Sequence, residues 1–154
     1  MDGRFEFVIT ADLTDSFWQR KITDSKLPYF GFHGPFGQDY IFLRSCQGFL
    51  NQSEELEQML QAVLKEGISK GDTRIQADNL YVVGNNVDST IDNWERNFKA
   101  LDENNLKLKV RKTKCFPDKL DLLGWIKEGK YLTPDPHRQN TIVTAELPTT
   151  VKDL

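Results

Sequence analysis

The sequence is poor in the residue types that mark zinc sites, disulfide scaffolds and membrane segments. Only two cysteines and two histidines occur among its 154 residues. Cys46 and Cys115 are isolated thiols, which do not make a disulfide framework or a zinc site and fit a reducing compartment. No apolar run approaches the roughly 20 residues that span a bilayer, and Arg4 and Glu6 argue against a signal peptide. We therefore expect an intracellular protein, cytoplasmic or nuclear, that is not secreted and has no membrane partner.

The sequence also has no excess of positive charge. The chain has 20 lysines and arginines against 23 aspartates and glutamates, which gives a net charge of -3. A freestanding nucleic-acid-binding domain usually carries a basic face, so such a face can only be local here. Hydrophobic residues make up 38% of the chain, which is enough for a core and excludes wholesale disorder. The length predicts one average domain.

Short alternating segments predict several β-strands. Phe5, Phe7 and Ile9 alternate with polar residues, as in a half-buried strand. Aromatic runs on both sides of the Gly/Pro segment 33–37 predict a β-hairpin. Further strands are predicted over 73–76, 80–83, 106–111, 120–126 and 131–133. After Pro134 the pattern fades.

Two amphipathic helices are predicted between these strands, over 53–66 and 89–103. Asn51 with Glu54 resembles a capping box, and Gly67 is a natural stop for the first helix. Strands in hairpins with helices between them predict an α+β fold, an antiparallel sheet with helices packed on one face. The apolar faces of the helices are expected to bury Leu56, Met59, Leu60, Val63, Trp94, Phe98 and Leu101.

Two aspartates are candidates for chemistry. Asp12 closes the first predicted strand, and Asp78 lies in the turn between two later strands. Antiparallel neighbours can place both carboxylates at the same end of one sheet. Rigidly held carboxylates suit Mg²⁺, and two such ions about 3.5–4 Å apart stabilise the attacking and leaving oxygens of a phosphoryl transfer. Taken alone, the same pattern is also that of ordinary turn and cap residues.

Further motifs make the sequence resemble the palm of a reverse transcriptase from an LTR-retrotransposon polyprotein. They occur in the family's order: the first palm motif over 12–19, the Pro-Gln-Gly motif over 46–51, the Asp-Asp hairpin over 77–82, the next strand over 106–113 and the primer grip over 122–126. Each motif is short, but together they are specific. The resemblance implies a polymerase palm-like sheet over 1–138, with a remnant of the fingers hairpin at about 28–45. Residues 139–154 would be a tail or the start of a connection to the thumb.

The resemblance implies a two-metal centre for nucleotidyl transfer. In the family, the first-motif aspartate and the hairpin aspartate hold two Mg²⁺ ions, so Asp12 and Asp78 inherit a metal-binding and catalytic role. The backbone carbonyl of Leu13 would be a further oxygen ligand. Lys112 would be catalytic as a charge donor or proton source facing the triphosphate. Its ordinary alternative is a place on a solvated basic strand.

Other motif positions imply contacts with the nucleotide and the primer. Phe17 would lie under the sugar and reject a 2′-hydroxyl by steric clash. Gln47 would contact the incoming nucleotide, while Gly48 lets the backbone approach closely. Each has an ordinary alternative, a core aromatic for Phe17 and a loop-to-helix turn for the other two. The primer contacts would be Leu123, Gly124 and Trp125.

Two departures from the family pattern lower the expected activity. Asn79 stands where the family has its second aspartate, so the site loses one negative charge. Most of the fingers and the thumb would lie outside these 154 residues. The resemblance therefore implies an RNA-directed DNA polymerase domain, and the two departures predict that it is weak or inactive alone.

The implied partners are an RNA or DNA template–primer duplex and deoxynucleotides. In an intact element, RNase H, integrase and protease domains of the same polyprotein would join them. The alternative is a non-catalytic palm remnant that acts as a protein- or nucleic-acid-binding module.

Overall fold

The structure is a computed structural model that describes residues 6–122, 124–129 and 131–144. It divides into two compact units, with the boundary between Phe116 and Pro117. The first unit contains β1 (Phe7–Asp12), α1 (Ser16–Gln19), β2 (Gly31–His33), β3 (Asp39–Ile41), α2 (Gln52–Val63), α3 (Lys65–Lys70), β4 (Thr73–Gln76), β5 (Asn79–Gly84), α4 (Val87–Glu103) and β6 (Lys114–Cys115). The second contains β7 (Lys119–Leu122), β8 (Trp125–Glu128), β9 (Tyr131–Pro134) and α5 (Pro136–Val143).

A four-stranded sheet with the order β4-β5-β1-β6 forms the centre of the first unit. β1 pairs with β5 in antiparallel register along its whole length, from Phe7 opposite Gly84 to Asp12 opposite Asn79. β6 pairs with β1 at only two positions, where Lys114 lies opposite Thr10. The predicted first strand is confirmed from Phe7 onward, while Phe5 lies outside the described residues. The predicted hairpin over 73–83 is also confirmed, and its second strand is the neighbour of β1 in the sheet.

Helices α2 and α4 pack on one face of this sheet. Alternate residues of a strand share a face, and Leu80 and Val82 of β5 meet leucines from both helices in one buried cluster. Met59 and Val63 are half-buried at its edge. The predicted α+β fold with helices on one face is confirmed. The buried cluster comprises Leu13, Leu56, Leu60, Leu64, Leu80, Val82, Leu101 and Leu106.

The predicted stop at Gly67 is wrong. Leu64 separates α2 from α3, and the helical segment continues to Lys70. Gly71 caps it with a left-handed φ of 78°, which is typical of a helix end. Gly67 lies inside α3 and is buried against the sheet and α4. A Cβ at this position would overlap Oγ1 of Thr73 and lie 2.8 Å from Oδ1 of Asn97. Glycine is needed there for close approach, not for a turn.

The capping box forms at α4 and not at α2. Asn51 precedes α2 with a left-handed φ of 62° and makes no side-chain cap bond, so the predicted box is wrong because a capping residue needs extended backbone. At α4, Ser89 N donates to Oδ1 of Asn86 at 2.7 Å, and Asn86 N donates to Oγ of Ser89 at 3.1 Å. This reciprocal pair satisfies two backbone donors at the start of the helix.

Helix α4 turns a polar residue inward where an apolar one is predicted. Phe98 is 51% exposed, so its predicted burial is wrong, whereas Asn97 is 2% exposed. Nδ2 of Asn97 donates to Oγ1 of Thr73 at 2.9 Å and so connects the helix to β4. Trp94 is half-buried against the leucine cluster, and Leu101 is buried in it as predicted.

The predicted aromatic hairpin is present as β2 and β3. Gly31 lies opposite Ile41 and His33 opposite Asp39. The ring of Phe32 stacks on that of Tyr40, with centroids 5.5 Å apart. The two strands form a small sheet of their own, preceded by a 3₁₀ helix over Asp24–Phe30.

The predicted strand over 106–111 is wrong. Only Leu108 forms a bridge, with Leu13. Lys109 N donates to the Asp12 carbonyl at 2.7 Å, and Lys112 N donates to the Lys109 carbonyl at 2.9 Å. The second bond belongs to a 3₁₀ turn over Val110–Lys112, so the chain turns there instead of continuing as a strand.

In the second unit, β7, β8 and β9 form an antiparallel sheet in chain order. A turn at Gly124, with φ of 87°, divides the predicted strand 120–126 into β7 and β8. α5 follows β9, in the region where the sequence pattern fades. None of the helices in the described parts of the chain is long and apolar enough to cross a membrane.

Candidate active site

Polar side chains gather at the end of the β1–β5 pair. Asp12 lies opposite Asn79, and Leu13 N donates to the Asp78 carbonyl at 3.1 Å. Because this bond flanks the Asp12–Asn79 pair, the pair is of the type in which side chains approach most closely. The structure thus brings the backbones of Asp12, Asp78 and Asn79 to one end of the sheet, with Asp78 opposite Leu13.

The alternation of β1 separates this site from the core. Leu13 belongs to the buried leucine cluster, so the preceding Asp12 lies on the opposite face of the strand. Asn79 and Tyr81 lie on the same face as Asp12, because they are opposite Asp12 and Thr10 in the register. Asp12 is 9% exposed, which keeps its carboxylate in a sheltered place.

The turn between β4 and β5 places Asp78. Gln76 lies opposite Asn79, so Ala77 and Asp78 form a two-residue hairpin loop. Ala77 has a φ of 52°, and positive φ is typical of such tight hairpin turns. This short loop fixes Asp78 beside Leu13.

Lys112 forms an ion pair with Asp12. Its Nζ lies 2.9 Å from Oδ2 of Asp12. The hydrogen bond to Asp12 and its negative charge, together with the charge of Asp78, raise the pKa of Lys112 above its ordinary value. Burial raises the pKa of Tyr81, and the charge of Asp78 raises it further. Both carboxylates therefore act on Lys112, and Asp78 also acts on Tyr81.

Oxygen atoms dominate the donor set of the site. Two carboxylates and the amide of Asn79 are hard donors of the kind that Mg²⁺ binds, usually with several waters retained. Within the described residues, no three histidine, cysteine, aspartate or glutamate side chains gather as a metal-binding group. Asp12 and Asp78 offer two carboxylates, and Asn79 offers a neutral amide in addition. This donor set fits a divalent cation that has few protein ligands.

The predicted nucleotide contacts lie in other segments of the first unit. Phe17 is half-buried and packs against the leucine cluster, as expected if it is a core aromatic. Gln47 is exposed in the loop that precedes α2. Gly48 in this loop has a φ of 97°, a conformation that glycine adopts readily.

The predicted primer contacts lie in the second unit. Leu123 is outside the described residues. The Gly124 carbonyl accepts a hydrogen bond from Asp135 N at 2.8 Å. Trp125 lies opposite Pro134 and is 44% exposed, so its ring does not simply fill a core.

Sequence reasoning missed the ion pair of Lys112 with Asp12 and the place of Tyr81 on the site face. Alternation along 80–83 gives a signal for Tyr81, because a polar ring between Leu80 and Val82 must face away from the core. The resemblance singles out Lys112 among the lysines of its segment, but no local pattern indicates that it pairs with Asp12.

The chain is similar in sequence to part of a transposon polyprotein. It is 27% identical over 152 residues to the retrovirus-related Pol polyprotein from transposon opus of Drosophila melanogaster. The match covers 99% of this chain and 15% of that relative, so the chain spans a small part of the curated protein that it matches. No family model matches the chain.

Solved structures of foamy viral protease–reverse transcriptase have the same fold. A complex with double-stranded DNA matches with a TM-score of 0.79 at 22% identity, over 97% of this chain and 26% of that one. A complex with an RNA/DNA hybrid matches with a TM-score of 0.75 at 22% identity, over 97% and 20% of the two chains. The chain therefore has a reverse-transcriptase-like fold. In sequence it is similar to part of a retrovirus-related Pol polyprotein from a transposon.

Proposed function

We propose that this chain is the palm part of an RNA-directed DNA polymerase of a retrotransposon, with Asp12 and Asp78 as its cation-binding residues. The observation that carries the proposal is the placement of both aspartates at the end of the β1–β5 pair, where Leu13 N bonds to the Asp78 carbonyl and both carboxylates act on Lys112. The foamy viral proteins were solved with double-stranded DNA and with an RNA/DNA hybrid. We therefore propose a template–primer duplex and deoxynucleotides as ligands.

The proposed reaction is attack of a primer 3′-oxygen on the α-phosphate of a deoxynucleotide, with pyrophosphate as the leaving group. Bound Mg²⁺ supplies charge stabilisation and orientation for phosphoryl transfer. The chain contributes rigid placement, because Asp12 is sheltered on a central strand and Asp78 is held in a two-residue turn. Positioning and electrostatics account for most of the catalysis in this class of reaction.

The other roles remain proposals that follow from the resemblance. The exposed amide of Gln47 is available to a nucleotide, and Gly48 leaves its loop open on that side. Phe17 is anchored on one side by the core, so its remaining surface would limit a 2′-hydroxyl. Gly124 and Trp125 are proposed to contact the primer.

We further propose that Asn79 lowers the activity. The two carboxylates and the Lys112 ammonium leave the site with a formal charge of -1. An aspartate at position 79 would add one more negative charge directly opposite Asp12. A site with less negative charge holds divalent cations more weakly and stabilises the transition state less well.

Primer extension by a chimera tests this proposal. The 154-residue segment replaces the matching quarter of a foamy viral enzyme, because it covers 26% of that chain. We expect Mg²⁺-dependent extension from the chimera that carries Asn79→Asp, and extension at least about tenfold slower from the chimera that keeps Asn79. Adding Asp12→Asn to the faster chimera should abolish extension. Extension that survives loss of Asp12 would overturn the proposed site.

A non-catalytic nucleic-acid-binding module is the second candidate. Asn79 favours it, and so does the exposed aromatic hairpin, in which Phe32 and Tyr40 are 43% and 46% exposed. Exposed rings can stack on unpaired bases. Binding of single-stranded RNA that is lost in Phe32→Ala but kept in Asp12→Asn, together with an inactive Asn79→Asp chimera, would favour this candidate.

A further inference from the structure

We propose that Lys112 is the resident counter-ion of Asp12 and competes with a divalent cation for the Asp12 carboxylate. The inference rests on the proposed function, because it takes Asp12 as a cation-binding residue. It starts from the ion pair itself, in which Nζ of Lys112 lies 2.9 Å from Oδ2 of Asp12. The ammonium group thus already occupies one of the two oxygens that a cation would use.

The backbone holds Lys112 in this place. Lys109 N donates to the Asp12 carbonyl at 2.7 Å. The residue just before the 3₁₀ turn is therefore bonded to the backbone of Asp12, whose side chain pairs with Lys112. Lys112 N closes the turn on the Lys109 carbonyl, and pairing with β1 resumes at Lys114, opposite Thr10. Attachment on both sides keeps the ammonium at a high effective concentration near the carboxylate.

The two partners of the ion pair differ in exposure, so they lose different amounts when a cation replaces Lys112 at Asp12. The Asp12 side chain is 13% exposed and that of Lys112 is 59% exposed. A sheltered carboxylate gains from any cationic partner, whereas an exposed lysine can return to water at little cost. A divalent cation can therefore displace the ammonium, and it must overcome the ion pair to do so.

The surrounding charges fit this role. The charge of Asp78 also acts on Lys112, so the lysine balances part of both carboxylates when no other cation is bound. Asn79 adds an amide and no charge. Against the two carboxylates of Asp12 and Asp78, one ammonium halves the net charge, which is why its competition should be measurable.

Cation binding to the full chain tests the inference. Mn²⁺ binding is followed by electron paramagnetic resonance, with Mg²⁺ as competitor, for the wild type, Lys112→Gln and Lys109→Gln. Lys109→Gln is the matched control, because it removes the same charge three residues away and keeps the backbone bond to Asp12. We expect Lys112→Gln to tighten binding about three- to tenfold and Lys109→Gln to change it less than about twofold.

The outcomes separate this inference from the proposed function. If the wild type binds Mn²⁺ and Lys112→Gln binds it equally or more weakly, the competition is overturned and the site stands. If no variant binds at millimolar cation, both are overturned. Adding Asp12→Asn to Lys112→Gln should remove the gain, since the competition is for that carboxylate.

A second measurement needs no variant at position 112. The Nζ signal of Lys112 in nitrogen-15-labelled protein should shift towards that of a free lysine as Mg²⁺ is added. An unchanged Lys112 signal, while backbone amides next to Asp12 do shift, would overturn the inference.

Discussion

The two faces of the β1–β5 strand pair are built differently. On one face, Leu80 and Val82 are 1% and 0% exposed beneath α2 and α4. On the other, Asp12 lies opposite Asn79 and forms an ion pair with Lys112. Stability is concentrated on the first face and candidate chemistry on the second. Substitutions on the two faces should therefore have separable effects, the first on unfolding and the second on cation binding.

The largest effect is expected from the helical face. Leu60→Ala should lower the free energy of unfolding by about 2–5 kcal/mol, because Leu60 is buried in the leucine cluster and its removal leaves a cavity. Leu50→Ala is the control, since Leu50 is 90% exposed, and it should change stability by less than about 0.5 kcal/mol. Urea denaturation followed by circular dichroism measures both. Equal losses of stability in the two variants would show that the helical face does not concentrate the stability.

A smaller loss is expected where this face is closely packed. Alanine usually stabilises a helix interior relative to glycine, but Gly67→Ala should destabilise by about 1–3 kcal/mol because its Cβ meets Thr73 and Asn97. In the control Gly31→Ala, the new Cβ would be 3.6 Å from the Tyr40 carbonyl, an ordinary contact. Urea denaturation again measures both variants. A Gly67→Ala variant more stable than the wild type would show that α3 and α4 do not approach this closely.

Much of the helical face could be predicted from the sequence, because apolar periodicity reports which residues a helix turns towards a core. Leu56, Leu60 and Leu101 are buried as that rule requires. The rule failed at Phe98, because Asn97 finds a hydrogen-bonding partner in Thr73 of β4. Hydrophobic patterns cannot foresee a buried amide that is satisfied by a residue distant in the chain.

The site face was predictable only in part. Asp12 at the end of a strand and Asp78 in a tight turn follow from local patterns, and pairing of β1 with β5 brings them to one edge of the sheet. The position of Lys112 depends on the bond from Lys109 N to the Asp12 carbonyl. That bond replaces the strand suggested by alternation over 106–111, so a nonlocal contact decides which lysine meets Asp12.

Position 79 lies next to both faces of the strand pair. Asn79 lies opposite Asp12 on the site face, while its neighbour Leu80 is buried on the helical face. A change at position 79 therefore alters the charge beside Asp12 and leaves the core untouched.

The smallest effect is expected from Asn79→Asp. Like charges directly opposite in an antiparallel pair destabilise by about 0.2–1 kcal/mol, so this variant should be slightly less stable than the wild type in the presence of a chelator. Mg²⁺ should reverse the loss, because a ligand that binds only the folded state stabilises it by mass action. The control Asn85→Asp adds the same charge at an exposed position after β5 and should not respond to Mg²⁺. Thermal unfolding with and without Mg²⁺ measures this difference. If Asn79→Asp loses no stability in chelator and gains none from Mg²⁺, the side chains at positions 12 and 79 do not share a cation-binding space.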